Sequence, residues 1–424
     1  MNRGRTTHLE DALAKSLARR ESQSTLRSLK ANPPNSVDFS SNDFLSLAKS
    51  TELRELFLDE LKSGPSTTSL GSGGSRLLDG NSTYAEVLES DIARFHGAQT
   101  GLLCNSGFDA NAGLFSCLPQ QGDVIVYDEY IHASVHDGMK VSRAGMKVPF
   151  AHNSVEALGT VLERLLDDDE KLREGRRNVF IAVEAVYSMD GDVAPLLQIT
   201  NLLDSRLPKG NGHLIVDEAH STGVFGPQGK GLVCSLGLED RVLVRLHTFG
   251  KALACNGAIL LCSRLIRSYL LNYARPLIYT TFLSYPALAA IRASYTYLDR
   301  GSTTALAQNL QTLINHLHAR LLDLQQSLSL SGADKALFDV PSEPPQSPIS
   351  FVLTTEPKPL AAYCQSKGFV VRGIVPPTVP AGAERIRICL HAGNTVAEIE
   401  GLVGVLREWV KGRLEHERGE RARL

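Results

Sequence analysis

Residues 246–257 read LHTFGKALACNG, a β-forming run that ends in Gly-Lys and is followed by small residues. Lysine is costly to bury unless something pairs with it or reacts with it. At such a place the Lys251 amine can act as a nucleophile toward a carbonyl. Upstream, HLIVDEAHSTG carries Asp217 at the C-terminal end of an apolar run, where open α/β sheets place functional groups. Alone, Asp217 fits a cap or turn role. His220 one helical turn later, followed by Ser-Thr-Gly, strengthens the functional reading. GLLCNSGFDANAG (101–113) reads as a strand, a Ser-Gly turn and a helix start. Helix N-termini bind anions through free N–H groups, although a plain β-to-α turn explains Ser106-Gly107 about as well. Thr248 adds a hydroxyl three residues before the lysine, and His132 in DEYIHAS could cover a flat ring. Together these residues suit a lysine Schiff base with pyridoxal phosphate. That cofactor needs an acid at its pyridine nitrogen, donors for its phosphate and a cover for its ring. The glycine-dense LGSGGSRLLDGN (70–81) holds no GxGxxG and follows no strand, which sets dinucleotide binding aside.

Such residues need a rigid sheet to hold them. Candidate strands are GLLCN (101–105), VIVY (124–127), VFIAVEAV (179–186), HLIVDEA (213–219), VLVRLHTF (242–249) and AILLCS (258–263). They are continuous apolar runs, as expected for a mostly parallel sheet covered on both faces by helices. A turn cluster, PSEPPQSP (341–348), precedes FVLTT. FVVRGI, RIRICL and a helix near 395–411 then suggest a smaller α+β domain. Residues 8–30 read as an amphipathic helix belonging to the fold. The expected organisation is an N-terminal segment (1–47), a large α/β domain (48–295), a C-terminal α+β domain (296–412) and a charged tail (413–424).

The 424 residues are 43% hydrophobic and 21% charged, with net charge -2, so no basic field points to nucleic acid. No apolar run is long enough to cross a bilayer, and a soluble protein is expected. Seven scattered Cys without a CxxC pair read as reduced thiols, not a metal site. The terminal Ala422-Arg423-Leu424 is like a peroxisomal address, and cytoplasmic residence is the alternative.

The chain resembles the α-oxoamine synthase family, pyridoxal-phosphate enzymes of fold type I. The resemblance is carried by DFSSNDFLSL, GSGGSRLLDGN, SGFDAN, DEYIHAS, FAHN, VEAVYSMDGDVAPL, VDEAHSTGVFG, HTFGKA and RPLIYTT, in the family's order and spacing from about residue 38 to 281. VPPTVPAGAERIRICL (375–390) is most similar to the 8-amino-7-oxononanoate synthases. The resemblance implies that Lys251 forms the Schiff base and moves the α-proton, and that Asp217 partners the pyridine nitrogen. It implies that His220 bonds the phenolic oxygen and His132 stacks on the ring. Gly107, Phe108 and Thr248 match phosphate-side positions, and Ser188 matches a further cofactor contact. Thr280 or Thr281 would reach the phosphate across a homodimer interface, so that active sites are shared. Arg387 matches the holder of the amino-acid carboxylate, with Asn42 beside it; Thr378 and Arg27 match substrate contacts. From spacing alone Arg385, two residues away on the same face, is an equal candidate for that carboxylate. The implied substrates are L-alanine and an acyl-CoA, pimeloyl-CoA in the branch named. A sister enzyme with another amino acid or longer acyl chain, an aminotransferase, and a non-catalytic subunit are the rivals. The chain departs from the family pattern at Cys255 and Asn256 and in the PSEPPQSP turn, which puts the acyl pocket in doubt.

Overall fold

The computed structural model describes residues 7–23, 25–29, 31–64, 69–330 and 332–421. The apolar runs become strands β1 (Thr100–Cys104), β2 (Val124–Asp128), β3 (Met146–Phe150), β4 (Val179–Glu184), β5 (Gly212–Asp217), β6 (Val244–Thr248) and β7 (Ala258–Cys262). They form one sheet in the order β1-β7-β6-β5-β4-β2-β3. Neighbours from β3 through β2, β4 and β5 to β6 run parallel, and β7 is antiparallel to both β6 and β1. The fold is α/β with a mostly parallel seven-stranded sheet, as expected. The sequence reading lacks β3, because Lys147 and Pro149 interrupt its apolar character. Proline is tolerated there because the strand lies at the sheet edge and is largely exposed.

A second, antiparallel sheet has the order β9-β10-β8, with β8 at Ile349–Leu353, β9 at Arg372–Ile374 and β10 at Arg385–Cys389. The N-terminal segment packs onto this part of the molecule. Val37–Asp38 pairs in parallel with Phe369–Val370, and Phe39, Phe44 and Leu45 share a buried core with Ile386, Ile388 and Leu402. Each large apolar side chain buried this way contributes about 1.5–3 kcal/mol.

Five helices matter here: α1 (His8–Ser22), α2 (Gly107–Cys117), α3 (Ala133–Lys140), α4 (Tyr285–Asp299) and α5 (Val396–Arg421). A capping box between Thr7 and Glu10 starts α1, but the helix stops at Ser22, short of the expected residue 30. None of its residues is buried, and Leu9, Leu13 and Leu17 lie exposed at i, i+4 and i+8. It therefore packs into no core among the described residues. The last helix, α5, runs past 411 and through most of the span expected to be a tail. Ala422, Arg423 and Leu424 lie outside the described residues. No helix among the described residues is long and apolar enough to cross a membrane. Every cysteine is free, and no cluster of potential ligands for a metal ion occurs among the described residues.

Loop 70–81 is tied to the sheet by Glu89, which is 3% exposed. Its carboxylate accepts from Arg76, from Arg267 at 2.8 Å and from the Leu103 N–H at 2.7 Å. Glu89→Ala strands the buried Arg76 charge and is expected to cost about 3–5 kcal/mol, read as a lower urea midpoint with unchanged m.

Candidate active site

The parallel order brings the C-terminal ends of β2, β4, β5 and β6 to one edge, and β1 points the same way. Asp128, Glu184, Asp217 and Thr248 therefore end neighbouring strands. This is where open α/β sheets bind ligands. Beyond β6, the backbone turns through Gly250 and Lys251, closed by the Ala254 N–H donating to the Lys251 carbonyl at 2.9 Å. Small residues at 252 and 254 allow the turn, with Ala254 in the left-handed region (φ 52°).

Lys251 is half-buried just beyond the end of β6. Burial pushes its amine below the ordinary lysine range; the nearby Asp217 and Glu184 oppose that, and Arg387 adds to it. The lysine and Asp217 thus lie close enough to interact electrostatically. Asp217 is fixed from both sides: its Oδ2 accepts from Asn111 Nδ2 at 2.8 Å and its Oδ1 from the Ala219 N–H at 2.9 Å. Asn111 comes from α2 and also reaches Ser134 Oγ at 3.0 Å, which contacts His132 Nδ1 at 2.7 Å. Glu184 pairs in register with Asp217 across β4 and β5. Burial, then Asp217, raises the Glu184 carboxyl well above the usual range, and Lys251 opposes that.

His220 is buried, and burial, then Lys251 and Arg387, push its imidazole well below the usual range. Its Nδ1 has no hydrogen-bond partner among the described residues. A buried ring nitrogen without a partner is costly unless a ligand meets it. The first turn of α2 begins at Gly107, capped by Ser106 Oγ accepting from the Asp109 N–H. A Cβ on Gly107 would lie 3.5 Å from the Thr248 side chain, so the helix N-terminus and Thr248 flank a small cradle. Its N–H groups have no intrahelical acceptor and suit a phosphate. Thr248 itself donates to the Gly257 carbonyl at 3.2 Å. These features fit pyridoxal phosphate: an amine, a carboxylate behind it, an orphaned donor or acceptor beside it, and an anion cradle.

The two strand arginines are now distinct. Arg385 pairs with Asp190 at 2.5 Å and lies over the Phe351 ring. Arg387 is 7% exposed, donates to the Ser188 carbonyl at 2.6 Å and to Asn42 Oδ1 at 3.0 Å, and has no carboxylate partner among the described residues. It is a buried guanidinium awaiting an anion, not an exposed strand arginine.

The family model for Aminotransferase class I and II matches residues 34–406. An 8-amino-7-oxononanoate synthase of Emericella nidulans is 54% identical over 403 residues, covering 95% of this chain and 96% of that protein. The chain belongs to the aminotransferase class I and II family. It is a pyridoxal-phosphate-dependent acyltransferase of the α-oxoamine synthase group. An aminoacyl transferase sphA of Aspergillus fumigatus is 40% identical over 391 residues, covering 90% and 83% of the two chains. The fold matches Sphingomonas wittichii serine palmitoyltransferase with a TM-score of 0.79 at 24% identity, covering 96% and 98%. It also matches an 8-amino-7-oxononanoate synthase from Francisella tularensis with a TM-score of 0.66 at 25% identity, covering 89% and 99%.

The structure thus gathers Lys251, Asp217, His220, His132, Gly107, Thr248, Ser188, Asn42 and Arg387 around one site. His132 caps α3, and the exposed Phe108 ring meets it edge-on at 6.4 Å. Thr280 and Thr281 contact Asn105, whose Nδ2 donates to the Thr281 carbonyl at 2.6 Å. Arg27 and Thr378 are exposed. Two further arginines are placed here: Arg275 lies exposed over Tyr279, while Arg372 is held by Ser40 and Asn32. Cys255 turns toward α4, with Sγ 3.0 Å from Ser294 Oγ. Sequence reasoning missed Asn111 and Glu184. Glu184 was the findable one, an acid closing an otherwise apolar strand.

Proposed function

We propose that the protein condenses L-alanine with pimeloyl-CoA to give 8-amino-7-oxononanoate, coenzyme A and carbon dioxide, a step of biotin synthesis. A carbon–carbon bond forms between the alanine α-carbon and the acyl carbonyl. The thioester carbon–sulfur bond breaks and the sulfur leaves as the thiol of coenzyme A. The bond from the α-carbon to the original carboxylate then breaks, and the carbon takes up a proton. Pyridoxal phosphate, when bound, supplies the sink for the electrons released at the α-carbon.

The chain's own groups do the rest. Arg387, fixed by Ser188 and Asn42, seats the amino-acid carboxylate as a planar fork. Lys251, pushed below its ordinary range by burial, spends time neutral and so can take the α-proton and return it. Asp217, clamped by Asn111 and Ala219, would partner the pyridine nitrogen of the bound cofactor, and His220 Nδ1 would take its phenolic oxygen. His132 would cover the ring, and Gly107, Phe108 and Thr248 would receive the phosphate, with Ser188 adjoining. Thr280 or Thr281 of a second copy completes the site in a homodimer, which light scattering on the purified protein tests.

One observation carries the substrate class: a buried arginine without an acidic partner beside a buried lysine. The choice of alanine and pimeloyl-CoA rests on the similarity to the Emericella nidulans enzyme. Incubation with both substrates should yield a product of the mass of 8-amino-7-oxononanoate, and no such product would sink the reading. The 40% similarity to aminoacyl transferase sphA favours a second reading, another amino acid or longer acyl-CoA. A panel of both substrate types separates the two. Asp217→Asn is expected to lower turnover by about 10²–10³-fold, because a preorganised charge is lost; single-turnover kinetics check this. The peroxisomal address at residues 422–424 belongs to the same proposal. Equal distribution of fluorescent fusions with and without it would remove that part.

A further inference from the structure

His152 lies in the FAHN stretch, and its ring is held on both sides. Nδ1 is 2.8 Å from Asp128 Oδ1 and Nε2 is 2.8 Å from Asp192 Oδ2. Two carboxylate oxygens at the two ring nitrogens require both nitrogens to donate, so the ring is an imidazolium. Burial alone would lower its affinity for a proton, but the hydrogen bonds to Asp128 and Asp192 prevail and raise it to about 10. The titratable groups around it are those two aspartates, Tyr130 stacked at 4.4 Å, Tyr187 edge-on at 4.4 Å, and Glu129, whose Oε1 accepts from the His152 backbone N–H at 3.0 Å.

Each aspartate anchors a different wall of the site. Asp128, wholly buried, accepts from the Tyr130 and Asn153 N–H groups at 2.9 and 2.8 Å, and its carbonyl accepts from Ile131. It thereby shapes the turn that delivers His132. Asp192 closes the turn Tyr187–Asp192, where the Tyr187 N–H donates to the Asp192 carbonyl and the Gly191 N–H to the Tyr187 carbonyl. Gly191 has φ 74°, and a Cβ there would collide with the Ile349 carbonyl, so this turn has no freedom to shift against β8. The same turn offers the Ser188 carbonyl to Arg387 and Asp190 to Arg385.

We infer that His152 is a positioning residue, a cationic clamp between the His132 turn and the Ser188–Asp192 turn that fixes the distance from the ring cover to the carboxylate-binding Arg387. This rests on the amino-acid-binding reading above. Loosening the clamp lets the two walls drift, and a displacement of about 1 Å in such a seat can cost on the order of 10²-fold.

The test loads wild type, His152→Gln and Asp192→Asn with pyridoxal phosphate and titrates each with L-alanine and a panel of other amino acids, following the visible spectrum. The cofactor should still form its band with the lysine before titration, since Lys251 and Asp217 are untouched. The apparent Kd for the amino acid should rise about 10-fold or more in both variants. Adding Arg387→Lys to His152→Gln should cost less than the product of the single effects. A purely structural residue would lower the melting temperature while leaving that Kd within about 2-fold of wild type, and this result overturns the inference. Should His152→Gln fail to fold, Asp192→Asn, which keeps the bond to Asp128, decides alone. A wild-type spectrum that responds to no amino acid removes the substrate reading itself, and the clamp with it.

Discussion

Lys251→Ala gives a folded protein that binds pyridoxal phosphate without the visible band of a lysine Schiff base and turns over roughly 10⁴-fold more slowly. The loss is large because one amine performs two tasks, holding the cofactor and moving the α-proton, and no neighbour can replace it. Asp217 and Glu184 are fixed on the strand ends, and His220 is held neutral by burial, Lys251 and Arg387. The variant without cofactor should melt no lower than wild type. Burial works against the lysine's charged form, so its removal takes away a cost rather than a support. Retained turnover, or a retained band, would mean that the nucleophile lies elsewhere. Absorbance and steady-state rates on the same preparation decide it.

The second large effect belongs to Arg387. Arg387→Lys keeps a positive charge but loses the fork, and kcat/KM for the amino acid should fall by about 10²-fold, chiefly through KM. Arg385→Ala makes the contrast. It leaves Asp190 without its partner and should lower stability by about 3 kcal/mol, with a smaller change in amino-acid KM. Comparable KM effects in the two variants would show that the carboxylate seat is wrongly assigned. Thermal melts alongside the kinetics separate the two kinds of damage.

Much of this site could be read from the chain because parallel strands announce themselves as unbroken apolar runs, and functional groups follow directly at their ends. Lys251 and Asp217 each stand at such an end. What stayed hidden depends on partners distant in sequence. Arg385 and Arg387 alternate onto one face of β10, and only Asp190, which neutralises one of them, tells them apart. Asn111 looks like any polar residue in a helix until Asp217 is placed against it. Met146–Phe150 escaped notice because an edge strand tolerates charge and proline. The extent of α1 was overread, since leucines at helical spacing can be counted in a sequence while the absence of a packing partner cannot.

Asn42 and Arg387 meet although 345 residues separate them. During synthesis the central sheet, complete by residue 262, can form while the last strands are still unmade. Lys251, Asp217, His220 and Thr248 are therefore all synthesised well before Arg387, the residue proposed to seat the amino acid. Any cofactor captured by a partial chain would precede the amino acid, because the guanidinium that seats the latter comes 136 residues after Lys251.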